Sequence, residues 1–158
     1  MKRRKLFNQQ DMEAHEAGQP DFEYNQITDH IFLGTNACCV DHFKDELLKK
    51  GVKSDISLEK ERLDAPYGVD LFLWLPTVDH TPPNPSQIKS GVDMIASLVA
   101  QNEKVYVHCK NGHGRAPTLV AAYLISTGMT VDEAIAEIKS KRPVIHLEDS
   151  QVEALKSL

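Results

Sequence analysis

A chain of 158 residues with 41% hydrophobic and 26% charged residues has the make-up of one ordinary globular domain, long enough to bury a core. The net charge is −5, and setting aside the basic Lys2, Arg3, Arg4 and Lys5 leaves −9 on the remainder, which excludes a broad nucleic-acid-binding surface. No apolar run approaches the roughly 18 residues of a membrane span, and three cysteines, two of them the adjacent Cys38 and Cys39, make a poor disulfide framework that fits a reducing, cytoplasmic setting.

Residues 1–20 are polar and without period. They read as a tail or arm, and the basic tip lacks the apolar block of a secretory signal. That leaves residues 21–158 as the folded domain. Ile27 to Leu33, with Thr28 and Asp29 in the middle, reads as a short β-hairpin. The stretch GTNACCVDHFKDELLKKG, residues 34–51, reads as a helix: Val40, Phe43, Leu47 and Leu48 share a face and Gly51 caps the end. VKSDISL is a short strand. VDLFLWLP is apolar almost throughout and fits a central one.

Asn84, Pro85 and Gln87 are a helix-start signature, and Ile88, Val92, Ile95 and Val99 form the buried stripe that follows. KVYVH is the next strand, and APTLVAAYLISTG a helix apolar on nearly all sides, stopped by Gly128. Thr130 with Glu133 caps a further helix with Val131, Ala134, Ile135 and Ile138 inward. Ser150 with Glu153 allows the same for a last one carrying Val152, Leu155 and Leu158. Strands separated by helices predict an α/β fold, with a central, largely parallel sheet of about four or five strands flanked by helices.

Between the strand KVYVH and its buried helix lies CKNGHGR, residues 109–115. In open α/β sheets the carboxyl ends of the strands are where ligands bind. Gly112 and Gly114 let backbone amides turn inward, and inward amides at a helix start cradle anions. Arg115 can hold two phosphate oxygens with its fork. The same positive surroundings favour the thiolate of Cys109, a nucleophile placed under a bound phosphate. No Gly-Lys-Ser/Thr follows, which excludes a Walker loop. His108, Cys109 and His113 point different ways at a strand end, and no second Cys/His pair has zinc spacing, so no metal site is expected.

HCKNGHGRAPT resembles the His-Cys-five-residues-Arg signature of the cysteine-dependent protein tyrosine phosphatases, in their compact dual-specificity form. ITDHIFLGTNACC, GVKSDISLEKER and RPVIHLEDSQVEAL are similar to the flanking parts of that family, so the resemblance covers about residues 24–158. It implies a metal-free, cofactor-free phosphomonoester hydrolase with a cysteinyl-phosphate intermediate. Cys109 would be the nucleophile and Arg115 the phosphate clamp. Asp79, in LPTVDHTPP, would be the general acid. Lys110, Asn111, Gly112, His113 and Gly114 would complete the substrate loop. His108 would sit behind it, Thr118 would support it and Gln151 would orient the hydrolytic water.

The implied substrate is a phosphorylated protein, on tyrosine and on serine or threonine. A non-protein substrate (a phosphoinositide, a nucleotide or an RNA 5′ end) and a phosphate-recognition module with weak catalysis stay open. The sequence departs from the family pattern at Ala116, where a serine or threonine usually follows the arginine. Oligomeric state is not legible.

Overall fold

The computed structural model describes residues 18–158, so most of the expected N-terminal tail lies outside the described residues. Five strands form one sheet: β1 (Tyr24–Gln26), β2 (Ile31–Gly34), β3 (Val52–Glu59), β4 (Leu71–Thr77) and β5 (Lys104–His108). Their order is β1-β2-β5-β3-β4, with β1 antiparallel to β2 and every other pairing parallel. The helices are α1 (Asp45–Lys49), α2 (Pro85–Ala100), α3 (Arg115–Ser126), α4 (Val131–Lys141) and α5 (Asp149–Lys156). The expected α/β architecture is therefore what the chain forms.

Parallel pairing on both sides places β5 at the centre, buried on both faces. Val105 and Val107 look into the larger core, with Ile31, Ile56, Leu119 and Ile138. Tyr106 looks the other way, into a smaller core with Phe32, Phe43 and Leu47. Helix α2 starts at the capping box of Asn84 and Gln87. It buries Ile88, Gly91, Ile95 and Leu98, with Val92 and Val99 at the margin. Gly91 is small for a reason: a Cβ there would come within 2.6 Å of Leu119 on α3.

Four expectations need correction. Residues 34–51 are not one helix. A 3-10 turn at Asn36–Cys38 gives way to irregular, bent chain before α1, and Val40 is exposed. Tertiary hydrogen bonds pull the segment apart: Asn36 donates to Glu59 in the core, and the Phe43 amide donates to Tyr67 O. The apolar strand β4 is an edge strand, with Leu71 and Phe72 exposed. Pro76 within it fits that place, since a proline cannot donate to a sheet ladder. The interior position on that side of β5 goes instead to β3, between β5 and β4. Helix α5 is capped by Glu148 with Gln151, not by Ser150 with Glu153. Finally, Cys38 and Cys39, read as a poor disulfide framework, have their sulfurs paired across the single peptide bond between them.

Candidate active site

Strand β5 ends at His108, and α3 starts at Arg115, so the loop 109–114 opens at the carboxyl edge of the sheet. Its shape is held from outside. Lys110 O accepts from the Asn36 amide (3.1 Å) and His113 O from the His146 amide (2.9 Å). Asn111 O and Gly112 O accept from Arg142 at 2.8 and 2.9 Å. Gly114 O accepts from the Thr118 hydroxyl at 2.7 Å. Among the described residues no peptide bond is cis, so a carbonyl turned outward sends the following N–H the opposite way. The amides of residues 111–115 therefore converge inward, as an anion cradle requires.

Gly112 has φ +66° and runs so close to β2 that a Cβ would lie 2.6 Å from Gly34 O. Only glycine fits there without strain.

Cys109, Asn111, His113, Gly114 and Arg115 form the floor of one pocket. Asp79, His80, His146, Glu148 and Gln151 complete its lining. Three predicted residues far apart in sequence, Cys109, Arg115 and Asp79, thus meet in one place. Lys110 and Gly112 belong to the loop but do not line the pocket, and His108 and Thr118 stand behind it.

Arg115 is 2% exposed. Its Nη1 donates to both oxygens of Glu61 (2.9 and 3.0 Å) and to Thr77 O (2.9 Å). Its buried Nε faces Asp79 Oδ1 at 3.3 Å without hydrogen-bonding it. Burial pulls the guanidinium pKa down, but Cys109, Glu61 and Asp79 outweigh it, so the net shift is upward. Asp79 also accepts the His80 amide at 2.9 Å. The turn that carries it is moored to the start of α5, where His80 Nδ1 meets Glu148 Oε1 at 3.0 Å and Gln151 Nε2 donates to Thr81 O at 3.1 Å. Gln151 Oε1 accepts the Glu148 amide, so both polar ends of this buried side chain are engaged.

His108 is fully buried, with Nε2 3.2 Å from Asp55 Oδ1 and 3.2 Å from Asp64 Oδ2. Burial alone pushes the imidazole pKa down. The two carboxylates overcome it and hold it well above its usual value. Nδ1 lies 3.4 Å from Cys109 O. Three contributors escaped the sequence reading: Glu61, Arg142 and the Asp55–Asp64 pair. Glu61 lies in GVKSDISLEKER, a stretch already set beside the family. Arg142 follows a predicted helix with nothing local to mark it.

The family model described as "Dual specificity phosphatase, catalytic domain" matches residues 31–158. The chain belongs to that family. The chain is 42% identical over 86 residues to the mouse protein named "Phosphatidylglycerophosphatase and protein-tyrosine phosphatase 1", covering 53% of this chain and 45% of the relative. It is 32% identical over 139 residues to "Phosphatidylglycerophosphate phosphatase PTPMT2" of Arabidopsis thaliana, covering 81% and 59%. The chain thus spans about half the length of the curated relatives it matches. Its fold superposes on "Crystal Structure of PTPMT1 in complex with PI(5)P" with TM-score 0.73 and 31% identity, over 85% of this chain and 92% of that one. Human DUSP28, at 20% identity and TM-score 0.75 over 84% and 93%, shares the fold.

Proposed function

We propose that this phosphatase removes a phosphate monoester from a lipid head group, through a covalent cysteinyl-phosphate on Cys109. The observation that carries the lipid reading is its likeness to relatives named for phosphatidylglycerophosphate and to a structure bound to PI(5)P. This reverses the order of the sequence expectation, in which a phosphoprotein came first. The phosphotyrosine reading stays second, supported by the other half of the mouse relative's name.

The chemistry follows from the geometry. Phosphate oxygens settle on the inward amides of residues 111–115, and Arg115 turns its fork toward them. Cys109 Sγ attacks phosphorus in line, while Asp79 protonates the departing oxygen. Water then attacks the cysteinyl-phosphate. Asp79 takes its proton, and Gln151, packed on Gly114, orients that water by exchanging its contact with Thr81. His108 holds the carbonyl of Cys109 from behind. Lys110 and His113 add positive charge at the rim. No step calls for a metal or an organic cofactor.

A metal-free substrate panel tests this reading. It compares phosphatidylglycerophosphate and phosphoinositides in mixed micelles, phosphotyrosine and phosphoserine peptides, and nucleotides. The lipid esters are expected to give the highest kcat/KM. Phosphotyrosine peptides outperforming every lipid would overturn the lipid reading. Cys109→Ser should abolish turnover of all of them while still binding phosphate. Turnover that survives it would remove Cys109 from its role.

A further inference from the structure

We propose that Cys38, Cys39, Asp55 and His108 form a buried site for one zinc ion, behind the phosphate loop and separate from the substrate pocket. The four side chains come from three places: the 3-10 turn after β2, the central strand β3 and the end of β5. Each residue is 0% exposed, and their ligand atoms all lie within 4.8 Å of one another.

The spacings around His108 Nε2 fit a tetrahedron. Zinc–sulfur bonds of about 2.3 Å and zinc–nitrogen bonds of about 2.0–2.1 Å put neighbouring sulfur and nitrogen ligands about 3.5 Å apart, and nitrogen and oxygen ligands about 3.3 Å apart. Cys39 Sγ is 3.5 Å from His108 Nε2. Asp55 Oδ1 is 3.2 Å from the same nitrogen.

A single proton on Nε2, which lies 3.4 Å from Asp55 Oδ2, cannot also serve the other carboxylate oxygens that face it. Nε2 carries at most one hydrogen, yet Asp55 Oδ1 and Asp64 Oδ2 both face it at 3.2 Å. Both oxygens are buried, and neither accepts a hydrogen bond. Orphaned buried carboxylate oxygens are costly. A divalent cation beside Nε2 faces the Asp55 oxygen and the sulfurs at once. It would leave Asp64 to Arg62, whose Nη2 is 2.8 Å away.

The second ring nitrogen also fits. A metal-bound histidine commonly donates its other N–H to a backbone carbonyl, and here Nδ1 lies 3.4 Å from Cys109 O. Two sulfurs, an imidazole and one carboxylate select zinc over magnesium or calcium. Four protein ligands leave no open position, so the ion would brace the root of the phosphate loop rather than take part in hydrolysis.

The two sulfurs are paired with each other in the structure. Pairing and metal binding are alternatives for the same two atoms: zinc takes them reduced, with the sulfurs opened to about 3.8 Å apart. The sequence spacing hides the site, because adjacent cysteines lack the two to four intervening residues of ordinary zinc motifs.

The test uses the full chain, reduced, with Cys109→Ser in place so that Cys38 and Cys39 are the remaining two of the three thiols. Cobalt(II) is added as the spectroscopic stand-in for zinc. The expected result is one equivalent bound, with the visible bands of tetrahedral cobalt and a thiolate-to-cobalt charge-transfer band, all bleached by zinc. Zinc should also protect Cys38 and Cys39 from alkylation. Cys39→Ser should lose most of the charge-transfer band, and Asp55→Asn should weaken zinc binding by about tenfold or more. A folded, reduced protein that shows no charge-transfer band with excess cobalt, and alkylates equally fast with and without zinc, overturns the proposal. That result needs no ligand variant, so a misfolded variant cannot obscure it.

Discussion

Arg142→Lys is the sharpest probe of how the loop keeps its shape. Arg142 is 1% exposed. Its Nε and Nη2 hold Gly112 O and Asn111 O at 2.9 and 2.8 Å, and its other contacts are Asn25 Oδ1 at 2.9 Å and Glu23 Oε1 at 3.1 Å. A lysine ammonium keeps the charge but is a single point that cannot span these four acceptors. Losing two of them, at about 1.5–3 kcal/mol for each hydrogen bond involving a charged group, removes about 3–6 kcal/mol. The whole stability of a domain is about 5–15 kcal/mol, so the variant should fold with a visibly lower urea midpoint.

The share carried by one loop carbonyl, about 1.5–3 kcal/mol, corresponds to a fall of roughly ten- to a hundredfold in kcat/KM. The assay pairs urea unfolding with kcat/KM on a chromogenic phosphate ester and with inhibition by inorganic phosphate, all well below the unfolding transition. Phosphate affinity and kcat/KM should fall together. Asn25→Ala, which unpins the same arginine without touching the loop, should lower stability with a smaller kinetic effect. If Arg142→Lys lowers stability while phosphate affinity and kcat/KM stay as in wild type, Arg142 does not set the cradle.

Asp79→Asn should slow turnover by roughly 10²–10⁴-fold on alkyl esters and far less on an ester whose leaving group departs unprotonated; an equal loss on both would make Asp79 structural. Ala116→Ser should add one hydrogen bond to the leaving sulfur and speed breakdown of the phosphoenzyme by about ten- to a hundredfold, seen as loss of a product burst in rapid mixing. Thr118→Val should not mimic it, since the Thr118 hydroxyl commits its proton to Gly114 O. Gly112→Ala should weaken phosphate binding, because its Cβ meets Gly34 O and φ is positive; unchanged inhibition by phosphate would refute that. Among the four tyrosines, Tyr24 has its phenol pushed up to about 12 by burial and by Glu46, and burial pushes that of Tyr106 well up. Absorbance titration should show both ionising late, and because their folded values are raised, the stability they contribute is full below about pH 10 and lost as pH rises through the folded values.

The phosphate loop was legible because its signal is local: a strand, a thiol, two glycines and an arginine within 11 residues of chain, 105–115. Capping boxes at Asn84 and Thr130 were legible for the same reason. What stayed hidden is what distant segments supply. Arg142 reaches the loop across 30 residues of chain, and Glu61 meets Arg115 across 54. The misread helix at residues 34–51 has a helical apolar pattern, but Asn36 and Phe43 answer to partners on other segments. The apolar run of β4 looked central, yet Leu71 and Phe72 stay exposed at the sheet edge. Pro76 was the local sign of an edge.

The strand order has an evolutionary consequence. The thiol rides on β5 in the middle of the sheet, hydrogen-bonded on both sides, while Asp79 follows β4 at the margin. Substitutions in the β4–α2 loop can alter which leaving groups are served while β5 and its cradle stay fixed. Substitutions at β5 disturb two neighbouring strands at once. Within such a scaffold, descendants are free to diversify in what they release long before they can change how they attack.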